Sequence, residues 1–152
     1  MRRFTKLLSA AVLCMTSLGA CKGDDADGGA GMSGAECLAP LDLDCDEAYS
    51  PTFDTIYDRR LHDTCATGGA NCHGSSGNQG GLSMADADSA YQALVGGNGG
   101  RARVIPGDPE CSLLIRRLES TDPNFLMPRG GRLAPGERCT IRKWVANGAE
   151  RR

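Results

Sequence analysis

A chain of 152 residues with a formal net charge of −2 has length for one domain behind a leader segment. Its 17 Lys and Arg are scattered among 19 Asp and Glu, which excludes a nucleic-acid surface built on a basic stripe. Its eight cysteines are the more informative part of the composition.

Residues 1–20 read as a processing segment. Arg2, Arg3 and Lys6 form a basic start, and Leu7 to Leu18 is an apolar run too short to span a bilayer. A plain secretory signal needs no cysteine at the cleavage point. The run Leu18-Gly19-Ala20-Cys21 resembles a bacterial lipobox, which implies cleavage before Cys21 and lipidation of that residue. Such a lipid anchors a chain to a membrane without spanning it. Lys22, which follows, is not an inner-membrane retention Asp, so the expected location is the cell envelope, at the outer membrane. Cleavage would leave 132 residues and move the net charge to −5, because Arg2, Arg3 and Lys6 are lost.

Export places the remaining cysteines in an oxidising compartment. Cys14 leaves with the signal and Cys21 takes lipid, so Cys37, Cys45, Cys65, Cys72, Cys111 and Cys139 remain. Six cysteines allow fifteen pairings, and sequence does not choose among them.

Residues 21–48 are expected to hold the lipidated cysteine and a flexible tether. Positions 22–35 are rich in Gly and Asp with almost no bulky apolar side chain, too little to offset the entropy of ordering. Cys37 and Cys45 then enclose a small loop that a disulfide could staple. The folded domain is expected over residues 49–150. Ser50-Pro51 is a candidate helix start, followed by Phe53, Ile56, Tyr57 and Leu61 at helical spacing. Residues 68–81 are Gly-rich loop containing Cys72-His73. Ala87, Ala90, Tyr91, Leu94 and Val95 mark a second helix, stopped at Gly96-Gly97. Asp108-Pro109-Glu110 predicts a third, with Asp108 as cap, carrying Cys111, Leu114, Ile115 and Leu118. Pro135 opens a fourth with Ile141, Trp144 and Val145, ended by Gly148. Arg151-Arg152 reads as a solvated tail, and Glu47, Asp54 and Asp58 as solvated carboxylates. No alternating strand pattern is present, so the expected fold is all-α, about four helices with long Gly-rich loops. Few aromatics and many glycines make a poor core, which calls for disulfides, a metal or a cofactor.

The chemistry concentrates in Cys65-(six residues)-Cys72-His73 and in Met127-Pro128, 54 residues further on. Two cysteines ending in Cys-His can hold a haem by thioether bonds, with His73 and Met127 as axial ligands of the iron. Such an iron has no open position, which suits electron transfer better than catalysis, and no acid–base pair points to an enzyme. Each residue also has a plainer reading. Cys65 and Cys72 can form a disulfide, His73 can be a loop histidine, and Met127 an apolar loop anchor. A zinc site from His62, Cys65, Cys72 and His73 is a third reading, awkward because Cys72 and His73 are adjacent.

From about Phe53 to Ala149 the chain resembles the cytochrome c-like domain of planctomycete- and myxobacterial-type envelope proteins. The stretches that carry the resemblance are Cys65…Cys72-His73-Gly74, Gly80-Gly81-Leu82, Leu94-Val95-Gly96, Arg103 to Glu110, Met127-Pro128 and Trp144-Val145. The resemblance implies a class I cytochrome c-like domain with one haem c attached through Cys65 and Cys72, His73 proximal and Met127 distal. Met84 is a substitute sixth ligand. The expected function is then single-electron transfer in the cell envelope, with a redox protein as partner. The gap between the cysteines is longer than the usual two residues, and Cys111 and Cys139 are additions to the pattern. A Cys111–Cys139 bridge between the last two helices is therefore expected. The alternative is a haem-free, disulfide-stapled lipoprotein, with a Cys65–Cys72 bridge, acting as a binding or structural module.

Overall fold

The computed structural model describes residues 37–97 and 102–152; the signal segment, Cys21 and the Gly/Asp-rich stretch to residue 36 lie outside it. The described residues form a small all-α domain of four helices with no β-strand among them, as the hydrophobic spacing predicts.

Helix α1 (Phe53–Ile56) runs on into wider π-helical turns over Tyr57–Cys65, where Ala66 N–H bonds back five residues to the Leu61 carbonyl at 3.1 Å. Its cap is Thr52, whose hydroxyl accepts from Thr55 N–H, not the predicted Ser50. Helix α2 (Ala87–Leu94) is capped by Asp86, which accepts from Ser89 N–H at 2.8 Å. Helix α3 (Leu113–Glu119) starts later than Asp108-Pro109 suggested. Asp108 instead accepts from Cys111 N–H at 3.0 Å in the preceding turn, and Ser112 takes the cap position. Helix α4 (Pro135–Ala146) has proline in its first turn, and the Glu137 carboxylate accepts from Ala134 N–H at 3.0 Å.

The apolar faces meet in one core. Phe53, Ile56, Met84, Leu94, Ile115, Ile141 and Trp144 are its largest fully buried side chains. Phe53 lies at its aromatic centre, edge-on to Tyr91 at 5.1 Å and tilted against Trp144 at 5.6 Å. The polar ends of these rings are satisfied by backbone: Trp144 donates to the Glu150 carbonyl at 2.9 Å and Tyr91 to Ala149 at 3.1 Å. The chain end is therefore docked, not solvated. Arg151 lies 4.9 Å from the Phe53 ring centroid and pairs with Asp54 and, at 2.9 Å, with Asp88. Asp54 and Glu47, read from sequence as solvated, are both in ion pairs, Glu47 with Lys143 at 2.7 Å.

Residues 37–48 form a strap across α3 and α4. Leu38 N–H donates to the Glu110 carbonyl at 3.1 Å, and Ala48 N–H to the Gly136 carbonyl at 3.2 Å. A side chain at Gly136 would press on the strap, with Asp46 O 3.2 Å and Ala48 N 3.3 Å from its Cβ. These contacts lay Cys37 beside Cys111 and Cys45 beside Cys139, with Cα separations of 4.4 and 6.0 Å. The expected Cys37–Cys45 and Cys111–Cys139 bridges are thus both replaced by crossed partners, because the strap is drawn out along the helices instead of closing on itself. The sequence boundary at residue 48 falls inside the folded unit.

The bridges close long loops, spanning 74 and 94 residues, and such loops constrain the unfolded chain most. Replacing Cys45 and Cys139 together by Ala is expected to lower unfolding free energy by about 2–5 kcal/mol. Urea unfolding followed by Trp144 fluorescence measures it, and an unchanged midpoint would show that the second bridge is dispensable.

Candidate functional site

The thiol region is built by one return of the chain. After Cys65 the backbone turns through Gly69–Asn71 and comes back, so that His73 N–H donates to the Cys65 carbonyl at 2.9 Å. Two glycines allow this closeness. A Cβ at Gly74 would collide with the Ala66 carbonyl, and one at Gly77 with the Cys72 carbonyl. Gln79 ties the loop together, its amide donating to the Ala70 carbonyl at 2.8 Å and its N–H to the Cys72 carbonyl at 3.2 Å.

Cys65, Cys72 and His73 are therefore brought together, as the sequence suggests. The Cys72 sulfur lies against Gly68, where any side chain would displace it. His73 Nδ1 lies 3.0 Å from the Gln79 carbonyl; since a carbonyl only accepts, Nδ1 carries the proton and Nε2 is left as an acceptor. Burial lowers the pKa of His73, and Arg103 and Arg117 add to the effect, outweighing the hydrogen bonds to Gln79 and Leu82 that raise it. Below its carbonyl lies Met84, whose N–H donates to His73 O at 2.6 Å and whose side chain is fully buried.

Met127 sits on the loop after α3, half-buried, at a cis Met127–Pro128 peptide, with its N–H donating to the Arg117 carbonyl at 3.0 Å. His62 is exposed and bonded to Asp63 at 2.8 Å. Among the described residues no group of three or more His, Cys, Asp or Glu side chains could hold a metal ion, which disposes of the zinc set.

The same finding corrects the haem expectation. His73, proposed with Met127 for a haem iron, belongs to no metal-holding group of His, Cys, Asp or Glu among the described residues. The cysteines that the fold commits to covalent bonds are Cys37, Cys45, Cys111 and Cys139, all in structural disulfides. Cys65 and Cys72 are not paired with each other, so the fallback Cys65–Cys72 bridge is not formed. Met84 serves as core, not as an iron ligand. Haem c, its iron and the electron transfer that rested on them do not fit this arrangement.

What the thiol region offers is a protonated Cys65. Burial, and then the neighbouring Cys72, push the Cys65 thiol up to about 11, so little of it is thiolate near neutrality. Iodoacetamide at pH 8 is expected to modify Cys65 about 100-fold more slowly than an ordinary thiol, as peptide mass spectrometry would read. A fast-reacting Cys65 would contradict its burial. His73 gives a second expectation. Its folded pKa lies below the ordinary imidazole value, so the unfolded state takes up the proton first. The His73 contribution to stability is whole above about pH 6.5 and is lost as pH falls through the folded pKa. The pH dependence of urea unfolding should flatten in His73→Asn over that window.

Comparison with known proteins follows from this geometry. No curated protein and no solved structure matches the chain. A family model does: the matched stretch takes in Cys72, His73 and Met127 and begins after Cys65. Over residues 70–131 the chain matches the family model described as Planctomycete cytochrome C.

Proposed function

We propose that this chain is a haem-free, disulfide-stapled cytochrome c-like module that serves a binding or structural role in the cell envelope. The observation that carries this reading is the use of the cysteines. Two crossed bridges fasten residues 37–48 to the turn before α3 and to α4, while Cys65 and Cys72 stay outside any disulfide beside a histidine tied to backbone. A domain with a small core can replace the apolar surface of a bound ring by covalent cross-links. The domain then keeps its helices without a prosthetic group.

Anchoring is supported by the Leu18-Gly19-Ala20-Cys21 run, which would place a lipid on Cys21 and the folded unit beyond a short Gly/Asp-rich spacer. No helix among the described residues is long and apolar enough to cross a membrane.

The test is production of the full chain in a host that matures c-type cytochromes, followed by visible spectroscopy and intact mass. The expected product is colourless, without added haem mass, and carries both bridges. A Soret band that persists after acid–acetone extraction and disappears in Cys72→Ser would overturn the proposal.

A further inference from the structure

Charge is unevenly placed along this chain. Between residues 37 and 91 nine acids face two bases, whereas between residues 113 and 143 seven bases face three acids. Most of the second group is compensated. Arg132, Arg138 and Arg142 converge on Glu119, and Lys143 pairs with Glu47. Arg116, Arg117 and Arg129 form no ion pair among the described residues.

Two of these three meet at one aromatic ring. The Arg117 guanidinium lies 4.5 Å from the Phe125 centroid and that of Arg116 5.8 Å from it. Arg117 also donates to the Phe125 carbonyl at 3.3 Å, and it is half-buried. Burial holds its pKa below the usual value, and the like charges of Arg129 and Arg116 add to this. Beside the ring a groove opens at the end of α3, lined by Arg116, Ser120, Thr121 and Phe125 and walled by the strap at Cys37–Ala39. The one carboxylate lining it, Glu119, is already bonded to Arg132 and Arg138. Asp122, nearby in sequence, caps its own turn by accepting from Asn124 N–H at 2.8 Å.

We propose that this groove binds a phosphate-type oxyanion, held by Arg116 and Arg117 beside Phe125, with the nearby charge of Arg129 adding to the positive potential. Guanidinium groups present planar forks of donors that match the oxygens of such an anion, and a multivalent anion relieves the mutual repulsion of three cations. The hydroxyls of Ser120 and Thr121 line the same groove and supply neutral donors. The oxyanion could come as a soluble phosphate or as the headgroup of an anionic lipid, since the recognised chemistry is the same. This site needs neither thiol, although the Arg117 charge also acts on His73.

The experiment uses the full chain. Pyrophosphate is titrated by calorimetry at low salt, and in parallel the protein is partitioned onto phosphatidylcholine vesicles with and without phosphatidic acid. Because acyl chains would carry a lipidated protein onto either vesicle, the readout is the ratio between the two. Binding to pyrophosphate should weaken by at least about tenfold in the Arg116→Gln/Arg117→Gln/Arg129→Gln variant and fall as chloride rises. Preference for the acidic vesicles without pyrophosphate binding, abolished by the same variant, would assign the site to lipid headgroups. If the triple variant fails to fold, Arg129→Gln alone, on an exposed loop position, should still reduce affinity about threefold. Absence of pyrophosphate binding together with equal partition onto both vesicles would overturn the proposal, as would wild-type binding by a folded variant.

Discussion

The rest of the structure depends on the fastening of residues 37–48 across α3 and α4. Four short helices, α1 of four residues and α3 of seven among them, enclose a single apolar cluster centred on Phe53 and Trp144. Short helices gain little from their own propensity and draw their stability from packing. Here the strap completes that packing. Leu38 and Leu41 lie against the cluster, and the carbonyls of Glu110 and Gly136 receive strap N–H groups. The two sulfur bridges make this arrangement covalent. They also fix α3 and α4 relative to a common segment, so the Glu119 cluster between those helices is assembled on a rigid base.

The thiol region is a different kind of object. It is held by backbone hydrogen bonds and by glycines at positions that tolerate nothing larger, and its side chains are arranged inward. His73 spends one nitrogen on a carbonyl, Cys65 is protonated and buried, and Met84 belongs to the core. The Cys-His sequence therefore survives here as a loop-forming device whose local geometry is ordered without a metal-holding group among the described residues. The matched family stretch, which begins after Cys65, covers the loop, α2, α3 and Met127.

The sequence made the helices legible because apolar spacing reports which faces are buried. Phe53, Ile56 and Leu61, and later Ile141, Trp144 and Val145, are buried as their spacing predicts. Local chemistry was less reliable. Asp108-Pro109 has the form of a helix start, yet the side chain of Asp108 serves a turn and the helix waits for Leu113. The disulfide partners were not legible at all, since pairing depends on where the strap runs, and that is set by hydrogen bonds to Glu110 and Gly136 far along the chain. Gly136 in a helix was the only local trace of that close approach. The site reading failed for a related reason. Cys72-His73 and Met127-Pro128 announce ligand types, while only the folded arrangement says whether they form a metal-holding group. The arginines of α3 were passed over because their neighbours in sequence do not reveal that Arg116, Arg117 and Arg129 go uncompensated while Arg132, Arg138 and Arg142 share Glu119.

The crossing of the two bridges has a further consequence for surviving a proteolytic cut. Cys37 and Cys45 lie on one side of the exposed thiol loop, and Cys111 and Cys139 on the other. A cut anywhere between residues 46 and 110 separates two polypeptides that remain joined by both bonds. Neither half can diffuse away, and the severed ends stay within reach of their original contacts. The loop at 66–81 can thus be nicked without dispersing the domain, so its integrity is set by the redox poise around it more than by the continuity of its backbone.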